Sequence, residues 1–163
     1  MPELATICNT SPLLYLHQIN RLDLLRQLYE EVLFPPAVEA ELAAGAELGI
    51  NAPHLSLYPW LKKLPLVSDA SISLVTDLGR GEAEVIALGL ENPGSRLILD
   101  DTLARRIAQL HRLQFTGTVG VIVKAKNVGL VAAVSPILSK LRTAGLWLSD
   151  GLVEEVLRQA GES

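Results

Sequence analysis

The 163-residue sequence predicts an α/β fold, a parallel sheet covered by helices on both faces. Short, fully apolar runs alternate with segments of helical period. Those runs lack the in–out alternation of a sheet with one wet face, so both faces are buried. The composition agrees: 49% of residues are hydrophobic, but only two Trp, three Tyr and two Phe are present, so the core is Leu, Val, Ile and Ala.

Taken in order, the first strand is the run at residues 4–8, ending at Asn9-Thr10-Ser11-Pro12. Leu13, Leu14 and Leu16, then Leu22, Leu24, Leu25 and Leu28, have helical spacing. Residues 31–34 form a second strand, closed by Pro35-Pro36, and Val38 and Leu42 continue as a helix. A third strand is expected near residues 64–67. The segment 45–65, with three prolines and Trp60, reads as a surface loop. Ala83, Ile86, Ala87 and Leu90 mark a helix before the fourth strand at 96–99, which runs into Asp100-Asp101. Leu103, Ile107 and Leu110 mark the next helix, and residues 113–115 a fifth strand. Three helices follow, at 117–128, 131–144 and 150–160, separated by Gly129 and Gly145.

Length and composition fit one domain, 1–163, of a size that buries about 68–70% of its unfolded surface. Cys8, the single cysteine, excludes a disulfide framework and fits a reducing, cytoplasmic compartment. Within an apolar run it reads as a small core residue, not a nucleophile. No basic stretch leads into an apolar segment at the N-terminus, and no run approaches a bilayer span, so no membrane association is expected. The net charge of −4 argues against broad polyanion binding. His17, His54 and His111 are scattered and lack zinc-ligand spacing.

Open parallel sheets bind ligands at the carboxyl ends of their strands. Polar residues cluster at those ends: Asn9, Thr10 and Ser11 after the first strand, Glu39 and Glu41 in the helix after the second, Asp100-Asp101 after the fourth. Gly81-Glu82-Ala83-Glu84 opens the helix before that strand. Singly, each acid has an ordinary structural use, as a helix cap, a first-turn anion or a solvated face. Together they invite a cation, because carboxylates converging in a cleft repel one another. Mg²⁺ or Mn²⁺ takes oxygen ligands, needs few carboxylates and can support phosphodiester hydrolysis.

Five stretches in this order, "NTSPLLYL", "PPAVEAEL", "GRGEAEVIALG", "LILDDTLARRIA" and "GTVGVIVKAKNVGL", resemble the PIN-domain family. The likeness is to a branch whose first strand ends in Asp-Thr-Ser-Pro-Leu and which is related to toxin-type PIN ribonucleases. It covers residues 6 to about 160. The resemblance implies a three-layer α/β/α sandwich with a central parallel sheet. It also implies a Mg²⁺- or Mn²⁺-dependent ribonuclease site, an RNA substrate, a homodimer and an antitoxin partner. Carried over residue by residue, the metal set is Asn9, Glu41, Glu82, Asp100 and Asp101, the four acids being catalytic. Either Asp100 or Asp101 takes the fourth position. Thr10, Ser11 and Thr118 match hydroxyl positions near the site, and Arg105 and Arg106 follow the Asp pair closely enough for one to meet the nucleic-acid backbone. Arg80, Arg112, Lys124 and Lys126 are further cations, with Lys124 and Lys126 read as solvating their helix.

Asn9 departs from the family pattern: it offers a carbonyl oxygen but no charge, and it cannot act as a base. A catalytically degenerate PIN module binding RNA or a protein is therefore the alternative reading. A phospho-acceptor receiver is a weaker third, because the acidic pair comes late in the chain.

Overall fold

The computed structural model describes residues 4–69, 72 and 78–162. Its centre is a five-stranded sheet of β1 (Thr6–Cys8), β2 (Val32–Phe34), β3 (Leu61–Lys63), β4 (Arg96–Ile98) and β5 (Gln114–Thr116). The order is β3-β2-β1-β4-β5, and every neighbouring pair is parallel. The helices are α1 (Thr10–Gln18), α2 (Asp23–Tyr29), α3 (Pro36–Glu47), α4 (Arg80–Glu91), α5 (Thr102–Leu110), α6 (Thr118–Asn127), α7 (Ser135–Ala144) and α8 (Asp150–Gln159). The chain forms the α/β/α sandwich: α4 packs on β1 and β4 and against α5, while α1 and α2 both pack against α6.

The central strands are largely buried. Ile7, Cys8, Val32, Leu97 and Ile98 are inaccessible to solvent, and Leu13, Leu16, Leu24, Ile86, Leu88 and Ile122 close over them from the helices. This is the packing that continuous apolar runs predict. From β1 the chain steps outward to β2 and β3, then returns to the other side of β1 for β4 and β5. The direction of winding therefore reverses between β1 and β4. In parallel sheets the crevice opens at that switch point, at the carboxyl ends of the strands. Asn9 and the Asp100-Asp101 pair flank it.

Four sequence expectations need correction. The third strand is Leu61–Lys63, not 64–67. It is an edge strand with Leu61 buried and Lys62 and Lys63 exposed, so it lacks the apolar signature of its neighbours. Lysines suit an edge because they discourage pairing with another chain. The segment 45–65 is consequently not a plain loop: it carries the end of α3, a 3₁₀ turn (Leu55–Leu57) and β3, with Tyr58 edge-on to Trp60 at 5.8 Å. Helix α5 is where its periodicity places it, but its buried residues are Ala104 and Ala108, while Leu103 and Leu110 face outward. Helix α7 begins four residues later than expected, with Pro136 in its first turn, where a missing N–H costs nothing.

Candidate active site at the carboxyl edge of the sheet

Four acidic side chains at this edge, Glu41, Glu84, Asp100 and Asp101, are each held by a helix start. The first backbone N–H groups of an α-helix have no partner within the helix, and the macrodipole makes that end positive. Helix α3 begins Pro35-Pro36 and supplies no side-chain cap of its own. Glu84 of α4, buried, accepts the Ala37 N–H at 3.1 Å and also an Arg80 Nε bond at 2.7 Å. Helix α4 begins at Gly79-Arg80-Gly81, likewise uncapped locally. Glu41 of α3 accepts the Gly81 N–H at 2.9 Å and the Thr10 hydroxyl at 2.5 Å. The two helices thus cap each other.

The Asp pair divides similarly. Asp101 is the N-cap of α5 and accepts the Ala104 N–H at 2.9 Å. Asp100 reaches across to α6, whose N-cap is Gly117, and accepts the Thr118 N–H at 2.8 Å and the Thr118 hydroxyl at 2.6 Å. One carboxylate per helix explains why two adjacent aspartates follow one strand. It also separates them: Asp101 is exposed on its own helix, and Asp100 turns to the crevice wall with fully buried Thr118.

Asn9 differs from all of these. It is the N-cap residue of α1, and Asn is a favoured cap, yet its side chain makes no capping bond. Its Oδ1 is buried and has no hydrogen-bond partner; among the described residues only Ser95 Oγ shares that condition. Its backbone N–H donates to Ile98 O at 2.9 Å, which ties the end of β1 to β4 beside Asp100. An unpartnered buried polar atom costs about 1–3 kcal/mol, so it marks a place built to meet something else.

The remaining candidates scatter. Glu82 sits in the first turn of α4 with its carboxylate folded back over Gly79. Arg105 lies over the Phe115 ring, 5.0 Å from its centroid, and lines a groove of about 580 Å³ with Asp100, Gly117 and Lys124. Among the described residues, no hydrogen bond or ion pair ties Ser11 or Arg106 to this edge. Glu39 pairs with Lys63 at 2.7 Å, and Arg80 is taken by Glu84. Cys8 is buried; burial foremost, then the charge of Asp100, pushes its thiol well up, as suits a core residue. Sequence reasoning named Glu84 within Gly81-Glu82-Ala83-Glu84 but gave it no role of its own, and it passed over Tyr29 and Arg96; an Arg opening the apolar strand "RLIL" was the available signal for the last.

The donors on offer, an amide oxygen and carboxylates, suit a hard divalent cation and not zinc. Among the described residues, however, no group of three or more His, Cys, Asp and Glu side chains is close enough to hold a metal. Mg²⁺ commonly makes do with one or two carboxylates plus substrate oxygens, so Asn9, Glu41 and Asp100 fit it in kind though not in charge.

Among the described residues no helix is long and apolar enough to cross a membrane. A comparison with curated proteins gives no match. The family model described as a PIN domain matches residues 5–162. With its sheet order, its strand-end acids and that match, the chain belongs to the PIN-domain family.

Proposed function

We propose that the protein is a PIN-type endoribonuclease dependent on Mg²⁺ or Mn²⁺, with a cation site of reduced charge. The carrying observation is the buried, unpartnered Oδ1 of Asn9 at the switch point of the sheet. Asn9, Glu41 and Asp100 would hold the ion, with Glu82 at the rim. When bound, a divalent cation supplies charge neutralisation at the phosphodiester and a water of lowered pKa. Thr118 and Thr10 fix the carboxylates of Asp100 and Glu41, and Arg105 offers a cation to the strand in the groove. Control by an antitoxin and a homodimer belong to the same reading; Trp147, 83% exposed at the groove's rim, is a natural contact for either.

A second reading has its own support. Glu41, Asp100 and Asp101 are already engaged by helix starts, and among the described residues no three acids converge. That favours a module retaining the fold and RNA binding without cleavage.

Asn9→Asp separates the two. Without metal it buries a charge beside existing carboxylates and lowers the melting temperature; Mn²⁺ then restores it. Mn²⁺ binding by calorimetry is expected to tighten about tenfold, roughly 1.4 kcal/mol. Metal-dependent cleavage of single-stranded RNA by the unmodified protein, abolished by Asp100→Asn, supports the nuclease. Cleavage only after Asn9→Asp supports the degenerate module. Failure of both proteins to bind Mn²⁺ removes the metal site altogether.

A further inference from the structure

Beside the groove that Asp100 and Arg105 line, a second recess of about 180 Å³ opens across β5. Tyr29, Arg96, Thr116, Gly120 and Lys124 line it, with no acidic side chain. The two recesses share Thr116, Gly120 and Lys124 as a common wall, so they form one track from the carboxyl edge of the sheet toward its amino edge. Gly120 brings the first turns of α6 against β5, since the Thr116 hydroxyl fills the space where a Cβ would be.

Two cations meet there on one aromatic ring. The Arg96 guanidinium is 4.8 Å from the Tyr29 centroid, and Lys124 Nζ is 4.5 Å from it. Arg96 is positioned from below: its Nε donates to the hydroxyl of buried Thr6, the residue paired with it across β1 and β4, at 3.0 Å. None of the ion pairs among the described residues involves either cation. Burial, and then the charge of Arg96, lower the affinity of Lys124 for its proton. In a chain of net charge −4, two like charges are thus held together, preorganised and, among the described residues, without an ion-pair partner. Cation–π contact offsets part of their repulsion but leaves their positive field unanswered. An oxyanion between them would gain charge-assisted hydrogen bonds from both.

We infer that Arg96 and Lys124, across Tyr29, form an anion subsite that takes a backbone phosphate of a single-stranded RNA. The strand then lies along β5, with the phosphate to be cut at the Asp100 end of the same track. This rests on the RNA-directed reading but not on cleavage, so the two can fail separately.

The test is anisotropy of a labelled single-stranded RNA in EDTA, where cleavage cannot intervene, over a salt titration. Arg96→Gln and Lys124→Gln are each expected to weaken binding about tenfold and to reduce the salt slope by about 0.7, the value for one phosphate contact on a single strand. Lys140→Gln, exposed on α7, serves as the control and leaves binding unchanged. Arg96→Lys keeps the charge and retains most of the affinity, which distinguishes lost contact from lost fold. Inorganic phosphate, followed by amide shifts at Thr116 and Gly120, is expected to bind weakly and to be displaced by the RNA. Binding of all variants within twofold of the parent overturns the inference, as does RNA that fails to bind or to displace phosphate. RNA binding that needs Arg96 without metal-dependent cleavage upholds the subsite and removes the nuclease; cleavage indifferent to Arg96 and Lys124 does the reverse.

Discussion

An added Cβ at Gly81 would lie 2.5 Å from Glu41 Oε2, and one at Gly117 would lie 2.7 Å from Asp100 Oδ1. Neither glycine has a positive φ, so space and not backbone freedom excludes a side chain. The glycines of "GRGEAE" and "GTVG" are thus the floors on which two carboxylates rest. Gly81→Ala and Gly117→Ala are each expected to cost about 1–3 kcal/mol in urea unfolding, as overpacking does, and to displace the acid involved. Gly151→Ala, with nothing within 4 Å of the new carbon, is neutral or slightly stabilising. At this scale the sequence was readable in part. That Asn9, Asp100 and Asp101 stand where strands end, and Glu41 in the helix after the second strand, was plain from the pattern. Which helix each carboxylate serves was not, because the partners are 40 residues apart for Glu41 and Gly81 and 18 for Asp100 and Thr118.

Among the elements, α3 and α4 depend on each other more than on their own sequences. Glu84 provides what Pro35 and Pro36 cannot, and Glu41 provides what Gly79 cannot. Glu84→Ala removes the acceptor of the Ala37 N–H and frees Arg80, at an expected cost of about 1–3 kcal/mol. Glu84→Gln keeps an oxygen acceptor and loses less; chemical denaturation of both variants checks the order. Strands β1, β2 and β4 were legible because each apolar run is long enough to betray burial; β5, Gln114-Phe115-Thr116, is not buried and was legible only from its place after α5. Strand β3 was not: its identity comes from pairing Val32, Leu33 and Phe34 with Leu61, Lys62 and Lys63, a fact of topology and not of composition. In α5, Leu103 and Leu110 misdirected the reading because the helix lies close to its neighbours through alanines.

For the molecule as a whole, the C-terminal end is fastened by one residue. Glu162 accepts Lys126 Nζ at 2.5 Å and the N–H groups of Val134 and Ser135 at 2.8 and 3.0 Å, joining α6, the start of α7 and the segment after α8. The Lys126 bond foremost, with those two N–H groups, holds its carboxyl down at about 2 against an ordinary 4.5. The unfolded chain therefore takes up the proton first. The stabilisation is complete above 4.5 and disappears as the pH falls through about 2. Glu162→Gln is expected to lower the melting temperature at neutral pH, and the gap between it and the parent should close across that acid window. A gap independent of pH would contradict the assignment.

The caps at the carboxyl edge also set terms for any cation that arrives there. Glu41 and Asp100 already answer the first turns of α4 and α6, and their lone pairs are shared. An ion that draws on Asp100 competes with the Thr118 N–H, and one that draws on Glu41 competes with Gly81. Under the proposed metal-dependent reading, occupancy of such a site and fraying of the two helix starts would be a single coupled equilibrium, in which the scaffold acts as a rival ligand.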